Sequence, residues 1–323
     1  MNYLRLVFIA LALFSPSLAS ANADLPAPLQ GVKRIVFLGD SITAGGNYVT
    51  DVECGLLAQG LRLEVIGLGL SSETATDLTE AENAGHLKAH GFGRPRLSER
   101  LQRVLDATHP DLVFACYGMN DGGSLPAGPD GLARFSAATT ALRTAILKAG
   151  AKRVVLCTPP VSDPKNRTVP DPREANLVVY TDWLLSQKKA AGWEVVDIHT
   201  PMRQALDAGR ATNPEFRFSP DGTHPDRPGH WVMAQAILNQ FLSVKTEKLA
   251  SAEALFPANG KEIRDILSQR RDVLYKAYMT QIGHQRPGTP GGPGSKPAPS
   301  VEAATAQAQE IEKQIAALLP AQK

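Results

Sequence analysis

The stretch RIVFLGDSITAGG, residues 34–46, joins a short apolar run to a small polar turn. Residues 34–38 are rich in branched and aromatic side chains and show no alternation with polar ones. Such a pattern is typical of a strand that is covered on both faces, as in a parallel sheet. Because Gly39-Asp40-Ser41 follows directly, the stretch predicts a buried strand that presents a serine at its carboxyl end.

Four further apolar runs resemble the first, and they predict four more strands at residues 63–66, 112–116, 154–157 and 193–196. Apolar residues at helical spacing lie between and after these runs, in residues 97–105, 135–149 and 174–191 and in a last helix that begins near Pro228. Strands that alternate with helices predict an α/β fold, with a five-stranded parallel sheet and helices on both faces. The predicted domain spans residues 31–245.

The first residues have the pattern of an export signal. Arg5 precedes an apolar run at residues 6–14, and Ala21-Asn22-Ala23 fits the small-residue cleavage pattern. We therefore predict a signal peptide at residues 1–23, cleaved after Ala23 or, as the second choice, after Ala21, and a secreted or periplasmic protein. No later stretch is apolar for the 18 residues that a transmembrane helix needs, so no transmembrane segment is predicted.

The C-terminal part differs in composition from the predicted domain. Residues 246–285 predict a helical extension, residues 286–300 a Gly/Pro-rich linker, and residues 301–323 a C-terminal helix. This tail is a candidate contact surface for another protein or for the cell envelope.

Composition limits the class of protein. The chain has 323 residues, 43% hydrophobic and 20% charged, with a formal net charge of +2, which is typical of a globular protein and gives no reason to expect nucleic acid as a partner. Three cysteines are too few for a disulfide scaffold or a Cys-rich zinc module. Cys116 and Cys157 lie in apolar runs and are expected to be buried, but one bridge among them and Cys54 stays open.

Small polar motifs follow the predicted strands. They are Gly39-Asp40-Ser41, residues 67–74, and Gly118-Met119-Asn120-Asp121, while Asp221-Gly222-Thr223-His224 precedes the last helix. Active sites of open parallel sheets lie at the edge formed by the carboxyl ends of the strands.

The residue types in these motifs complement each other chemically. A serine needs a base to become a nucleophile, which His224 can be, and that base needs an orienting carboxylate, which Asp221 can supply. Asn120 and backbone N–H groups can stabilise an oxyanion. No cluster has the spacing of metal ligands, and we expect neither a metal nor an organic cofactor.

As a set, the blocks FLGDSITAGG, YGMND and DGTH resemble those of the SGNH hydrolases, the GDSL esterase/lipase group. The resemblance covers about residues 31–245 and implies a flavodoxin-like three-layer sandwich. It also implies that Ser41 is the nucleophile and first oxyanion donor, that Asn120 is another donor, and that Asp221 and His224 complete the triad.

One block departs from the family pattern. Where the family has a glycine that donates its backbone N–H to the oxyanion, this chain has Ser72, within Gly69-Leu70-Ser71-Ser72-Glu73-Thr74. The resemblance assigns this role to Ser72, with Gly69 as the alternative.

The resemblance, the predicted export and a polar insertion after the second block favour an exported esterase that acts on short-chain, acetyl esters of a carbohydrate. Asp40 and Arg94 are candidate substrate contacts, while His86 and His90 either line the cleft or lie on the surface. The alternatives are a lysophospholipase or thioesterase and, in a different class, a non-catalytic glycan-binding or envelope scaffold protein.

Overall fold

A computed structural model gives the structure of residues 26–83, 85–164 and 170–319. The predicted signal peptide lies outside these described residues. Five parallel strands form one sheet in the order β2-β1-β3-β4-β5. The strands are β1 Arg34–Gly39, β2 Glu64–Gly67, β3 Leu112–Cys116, β4 Arg153–Cys157 and β5 Glu194–Val196.

Helices connect and follow the strands. In chain order, those described are α1 Ser41–Gly45, α2 Asn47–Ala58, α3 His86–His90, α4 Leu97–Thr108, α5 Met119–Gly122, α6 Pro129–Lys148, α7 Pro172–Ala190, α8 His199–Thr212, α9 Arg227–Gln240, α10 Gly260–Ile282 and α11 Val301–Leu318. Among these described helices, none is both long and apolar enough to cross a membrane.

The strand order decides where the helices lie. The chain steps from β1 to β2 in one direction and then from β2 through β3 and β4 to β5 in the other. Right-handed crossovers in opposite directions place helices on opposite faces of a sheet. Accordingly, α2 packs against α9, whereas α6 packs against α7. The α/β fold with a flavodoxin-like strand order is confirmed.

Five of the described helices were not predicted from the sequence: the short helices α1, α3 and α5, and the longer helices α2 and α8. Helix α2 is buried on nearly all sides, so its sequence shows no polar face that would reveal a helical period. Helix α8 begins at His199, three residues after the predicted strand at residues 193–196. Pro201 lies in its first turn, where a missing N–H costs little.

The C-terminal extension packs on the sheet domain. Helix α10 contacts α2, α4 and β2, and so covers an edge strand that would otherwise present unpaired backbone groups. Two buried ion pairs join α10 to α2: Arg264 Nε lies 2.6 Å from Asp51 Oδ1, and Arg270 Nη1 lies 2.9 Å from Glu53 Oε1. Cys54, Cys116 and Cys157 are all buried and free, so no bridge forms among them.

Helix α11 packs along α10 rather than standing apart from it. Its buried face consists of Ala304, Ala308, Ile311 and Ile315. We therefore expect Ile315→Ala to lower the free energy of unfolding by about 2–5 kcal/mol, the usual cost of deleting a buried isoleucine side chain. Urea denaturation measures this change, with exposed Gln307→Ala on the same helix as the control. Equal stabilities of the two variants would contradict the packing of α11.

Candidate active site

Ser41 is the first residue of α1 and follows β1 directly. The side chain of Asp40 caps this helix, because its Oδ1 accepts from the N–H of Ile42 at 2.9 Å. A side chain at position 39 would overlap Thr43 and the carbonyl oxygen of Cys116, so the turn requires Gly39. The local sequence thus fixes a sharp strand-to-helix turn that presents the hydroxyl of Ser41 at the sheet edge.

A row of hydrogen bonds runs from Ser41 to Asp221. Ser41 Oγ lies 2.7 Å from His224 Nε2, and His224 Nδ1 lies 2.6 Å from Asp221 Oδ2. When Nδ1 carries the proton and donates it to the carboxylate, Nε2 is free to accept the hydroxyl proton of Ser41. This arrangement can therefore make a serine nucleophilic.

Asp221 is held in its ionised form. Burial opposes ionisation, but hydrogen bonds from the backbone and ring of His224 and from the N–H of Thr223 outweigh it and lower the pKa of Asp221 to about 2. The carboxylate is consequently charged at any pH where the imidazole could act as a base.

Two further predicted residues, Ser72 and Asn120, line the same cleft as Ser41 and His224. Asn120 Nδ2 donates to the carbonyl oxygen of Glu73 at 3.0 Å, which orients its amide. The structure thus brings the predicted triad and two predicted oxyanion donors to one place.

Ser72 adopts a left-handed backbone conformation, with φ of 73°. This is the region that favours glycine, which explains in physical terms why the family pattern has glycine here. Gly69, the alternative oxyanion donor, lies against the start of α1. A Cβ atom there would overlap the backbone of Ala44 and the carbonyl of Asp40. Gly69 is therefore needed for the close approach of its loop to α1.

A buried network supports this loop from below. Arg100 donates to both carboxylate oxygens of Glu73 at 2.7 Å, and the hydroxyl of Tyr117 donates to Glu73 at 2.7 Å. The carboxylate of Asp121 accepts from the N–H groups of residues 75 and 76. The backbone around Ser72 is thus fixed on both sides.

The two candidate substrate contacts lie in different surroundings. Arg94 lines the cleft, and Arg94 Nη1 donates to the carbonyl oxygen of Ser72 at 2.7 Å. His86 and His90 line the cleft as well. Asp40 is only 3% exposed and does not line the cleft. Its carboxyl lies beneath the serine turn, as a helix cap.

Sequence reasoning missed several residues at the site. Arg173, in the first turn of α7, and Arg286, in the segment predicted as a linker, both line the cleft. From α10, Arg271 donates to the carbonyl of Gly45 at 2.7 Å and Tyr275 donates to that of Gly69 at 3.3 Å. Only the tertiary structure brings these distant parts of the chain together, and no local motif marks them.

Within residues 26–83, 85–164 and 170–319, no group of three or more His, Cys, Asp or Glu side chains could hold a metal ion.

Comparisons with known proteins agree with this fold. The model of the GDSL-like Lipase/Acylhydrolase family matches residues 37–232. Among solved structures, a gut microbial diltiazem-metabolizing enzyme matches with a TM-score of 0.51 and 21% identity, over 64% of this chain and 46% of that enzyme, less than half of its length. An alpha/beta hydrolase enzyme from the metagenome of Lake Arreo, Spain, matches with a TM-score of 0.50 and 22% identity, over 66% and 96% of the two chains.

An acetylxylan esterase from Geobacillus stearothermophilus matches with a TM-score of 0.47 and 23% identity, over 65% of this chain and 94% of that one. A comparison with curated proteins finds no match. The fold and the family match define a carboxylic ester hydrolase of the SGNH type. The chain belongs to the GDSL-like Lipase/Acylhydrolase family, as its sequence blocks indicated.

The left-handed conformation of Ser72 generates a stability prediction. We expect Ser72→Gly to raise the free energy of unfolding by about 0.5–1 kcal/mol, since a non-glycine residue costs about 1–2 kcal/mol in this region and glycine's greater freedom in the unfolded chain offsets part of the gain. Ser71→Gly is the matched control, because Ser71 has no positive φ and the change should destabilise. Urea denaturation compares the two, and a loss of stability in Ser72→Gly would contradict the strained backbone.

The burial of Asp40 generates a pH prediction. Burial raises the pKa of Asp40 from 3.8 to about 7, against the hydrogen bond from Ile42 and with a further increase from the nearby charge of Asp121. In the folded state, the carboxyl group of Asp40 thus keeps its proton at pH values where the same group in the unfolded state has lost it. This residue's contribution to the free energy of unfolding therefore falls as the pH rises from about 4 to about 7.

Asp40→Asn removes this titration but keeps an oxygen that accepts from Ile42. We expect the stability of the variant, relative to the wild type, to increase between pH 4.5 and pH 8 in urea denaturation. A difference that stays constant over this range would show that Asp40 does not keep its proton in the folded protein.

Proposed function

We propose that this protein is an exported serine esterase that removes acetyl or similarly short acyl groups from a carbohydrate. The observation that carries the mechanism is the unbroken row of contacts of 2.7 and 2.6 Å from Ser41 through His224 to Asp221. Export rests on the signal pattern of residues 1–23.

In the proposed reaction, Ser41 Oγ attacks the ester carbonyl while His224 Nε2 takes the hydroxyl proton. The N–H groups of Ser41 and Ser72 and the side-chain amide of Asn120 donate to the oxyanion that forms. His224 then protonates the leaving alcohol, which departs and leaves the acyl group on Ser41. Water, deprotonated by the same imidazole, attacks this acyl-enzyme and releases the carboxylic acid.

The cleft supports a short acyl group. It encloses about 510 Å³, and the described residues that line it have polar or small side chains, with Ala89 the most apolar of them. A long acyl chain would need an extensive apolar wall to leave water favourably. A polar acylated molecule such as a sugar fits this lining better than a lipid, which disfavours the lysophospholipase alternative.

The nucleophile assignment predicts that Ser41→Ala loses hydrolysis of 4-nitrophenyl acetate by several orders of magnitude, because removal of a triad serine costs up to about 10⁶ in kcat. The wild type should also bind a fluorophosphonate probe covalently at Ser41, as mass spectrometry of the peptides would show. Ser136→Ala, at a partly exposed serine on α6 that does not line the cleft, is the control. Retention of one tenth of the activity in Ser41→Ala would reject the mechanism and favour the non-catalytic alternative.

The lining of the cleft predicts a preference for short chains. Between 4-nitrophenyl acetate and the octanoate, kcat/KM should fall by at least about tenfold, because the cleft has no apolar wall to bury the added methylenes and the longer chain would displace water from polar side chains. Faster hydrolysis of the octanoate would favour a lipid or thioester substrate instead.

A further inference from the structure

Among the described residues, three arginine side chains from separate parts of the chain line the cleft that contains Ser41. Arg94 lies in the insertion after β2, Arg173 in the first turn of α7, and Arg286 in the Gly/Pro-rich segment after α10. Burial is the main cause that lowers the pKa of Arg94, and the positive charge of Arg173 adds to it. The two cations are therefore near enough to interact unfavourably.

The hydrogen bonds of Arg94 and Arg173 go to neutral groups. Arg94 Nη1 donates to the carbonyl oxygen of Ser72 at 2.7 Å, and Arg173 Nη1 donates to the hydroxyl of Thr223 at 2.6 Å. Both contacts hold loops that carry proposed catalytic residues. They orient the guanidinium groups without neutralising them.

Nearby carboxylates do not neutralise Arg94 either. Glu80 and Asp121 both attract it electrostatically. However, Glu80 accepts from the N–H groups of residues 85 and 87, and Asp121 accepts from those of residues 75 and 76. Within the described parts of the chain, none of the three cleft arginines has an Asp or Glu oxygen within 4.0 Å.

Arg286 is held by its own segment. Its Nη1 donates to the hydroxyl of Thr289 and to the carbonyl of Pro287, and its guanidinium lies 5.1 Å from the centre of the Phe92 ring. These contacts hold the guanidinium of Arg286 in the cleft wall, and the carbonyl, the hydroxyl and the aromatic ring that it contacts are all uncharged.

Two of the arginines have an unused buried donor. The Nε atoms of Arg173 and Arg286 are both buried, and neither has an acceptor among the described residues. An unpaired buried donor on a charged group is costly. An anionic oxygen would supply the hydrogen-bond acceptor that each of these two Nε atoms lacks.

We propose that the ester substrate carries an oxyanion group, a carboxylate or a phosphate, which Arg94, Arg173 and Arg286 hold beside Ser41. This deepens the proposed function and rests on it for the reaction. Guanidinium groups bind such planar or tetrahedral oxyanions through paired hydrogen bonds. Among carbohydrates, an acidic sugar that carries the acyl group has the required chemistry.

Matched aryl acetates test the proposal. The substrates are 3-acetoxybenzoate, its neutral amide 3-acetoxybenzamide, and 3-acetoxyphenyl phosphate, with each kcat/KM divided by the rate constant of alkaline hydrolysis. At low salt we expect the wild type to prefer one or both anions over the amide by about tenfold or more, as charge-assisted hydrogen bonds allow. The preferred anion identifies carboxylate or phosphate as the group, and equal values for all three substrates would overturn the proposal.

Arginine variants locate the effect. Arg173→Gln and Arg286→Gln should each reduce the ratio of anion to amide several-fold, with folding checked by circular dichroism. Arg96→Gln is the matched control, because Arg96 is in the same insertion as Arg94 but is exposed and paired with Glu99 at 2.7 Å. A preference that persists undiminished in both cleft variants, or that falls equally in the control, would contradict the assignment to these arginines.

A binding measurement separates this inference from the proposed reaction. In calorimetric titrations of Ser41→Ala, which needs no turnover, the preferred anion should bind at least about tenfold more tightly than the amide. A wild type that hydrolyses all three acetates equally, together with equal binding, would reject the anion site and leave the esterase mechanism intact. Selective binding without any hydrolysis by the wild type would support the anion site and reject the mechanism.

Discussion

The buried ion pair between Glu73 and Arg100 is the contact on which the active site depends. The two side chains are 0% and 1% exposed and are joined by two hydrogen bonds of 2.7 Å. Two charges withdrawn from water are stable only when their remaining hydrogen-bonding capacity is filled. Here the hydroxyl of Tyr117 donates to Glu73, and Arg100 also donates to the carbonyl of Leu68. The pair thus ties the end of β2 to β3 and to α4.

This contact explains how an unfavourable backbone conformation persists next to it. Ser72 precedes Glu73 and has a φ of 73°, a conformation that surrounding structure must impose on a serine. Glu73 imposes it from one side, and Arg94 holds the carbonyl of Ser72 from the other. The carbonyl of Glu73 also orients the amide of Asn120. The buried pair of Glu73 and Arg100 therefore positions the N–H of Ser72 and the amide of Asn120, the two groups proposed to donate to the oxyanion in addition to the N–H of Ser41.

Much of the fold was predictable because its signals are local. Continuous apolar runs revealed all five strands. The motifs after three of these strands, with the motif before the last helix, predicted that Ser41, Ser72, Asn120 and His224 meet at one edge of the sheet. What depends on distant contacts was not predictable. Helix α2 is covered on nearly all sides by other elements, so it lacks a polar face. Arg286 comes from a segment whose composition suggested a linker, and only the packing of α10 brings it to the cleft. The burial of Asp40 likewise depends on its neighbours, since the sequence shows only a turn.

In the proposed reaction, Ser41 attacks an acyl group, and the oxyanion that forms accepts hydrogen bonds from a preformed loop. A crystal structure of the protein treated with a short-chain alkyl phosphonate ester measures this most directly. We expect phosphorus bonded to Ser41 Oγ, with the phosphoryl oxygen within about 2.7–3.1 Å of the backbone nitrogen of Ser72 and of Asn120 Nδ2. Reaction at another residue, or a phosphoryl oxygen that points away from Ser72 and Asn120, would contradict it.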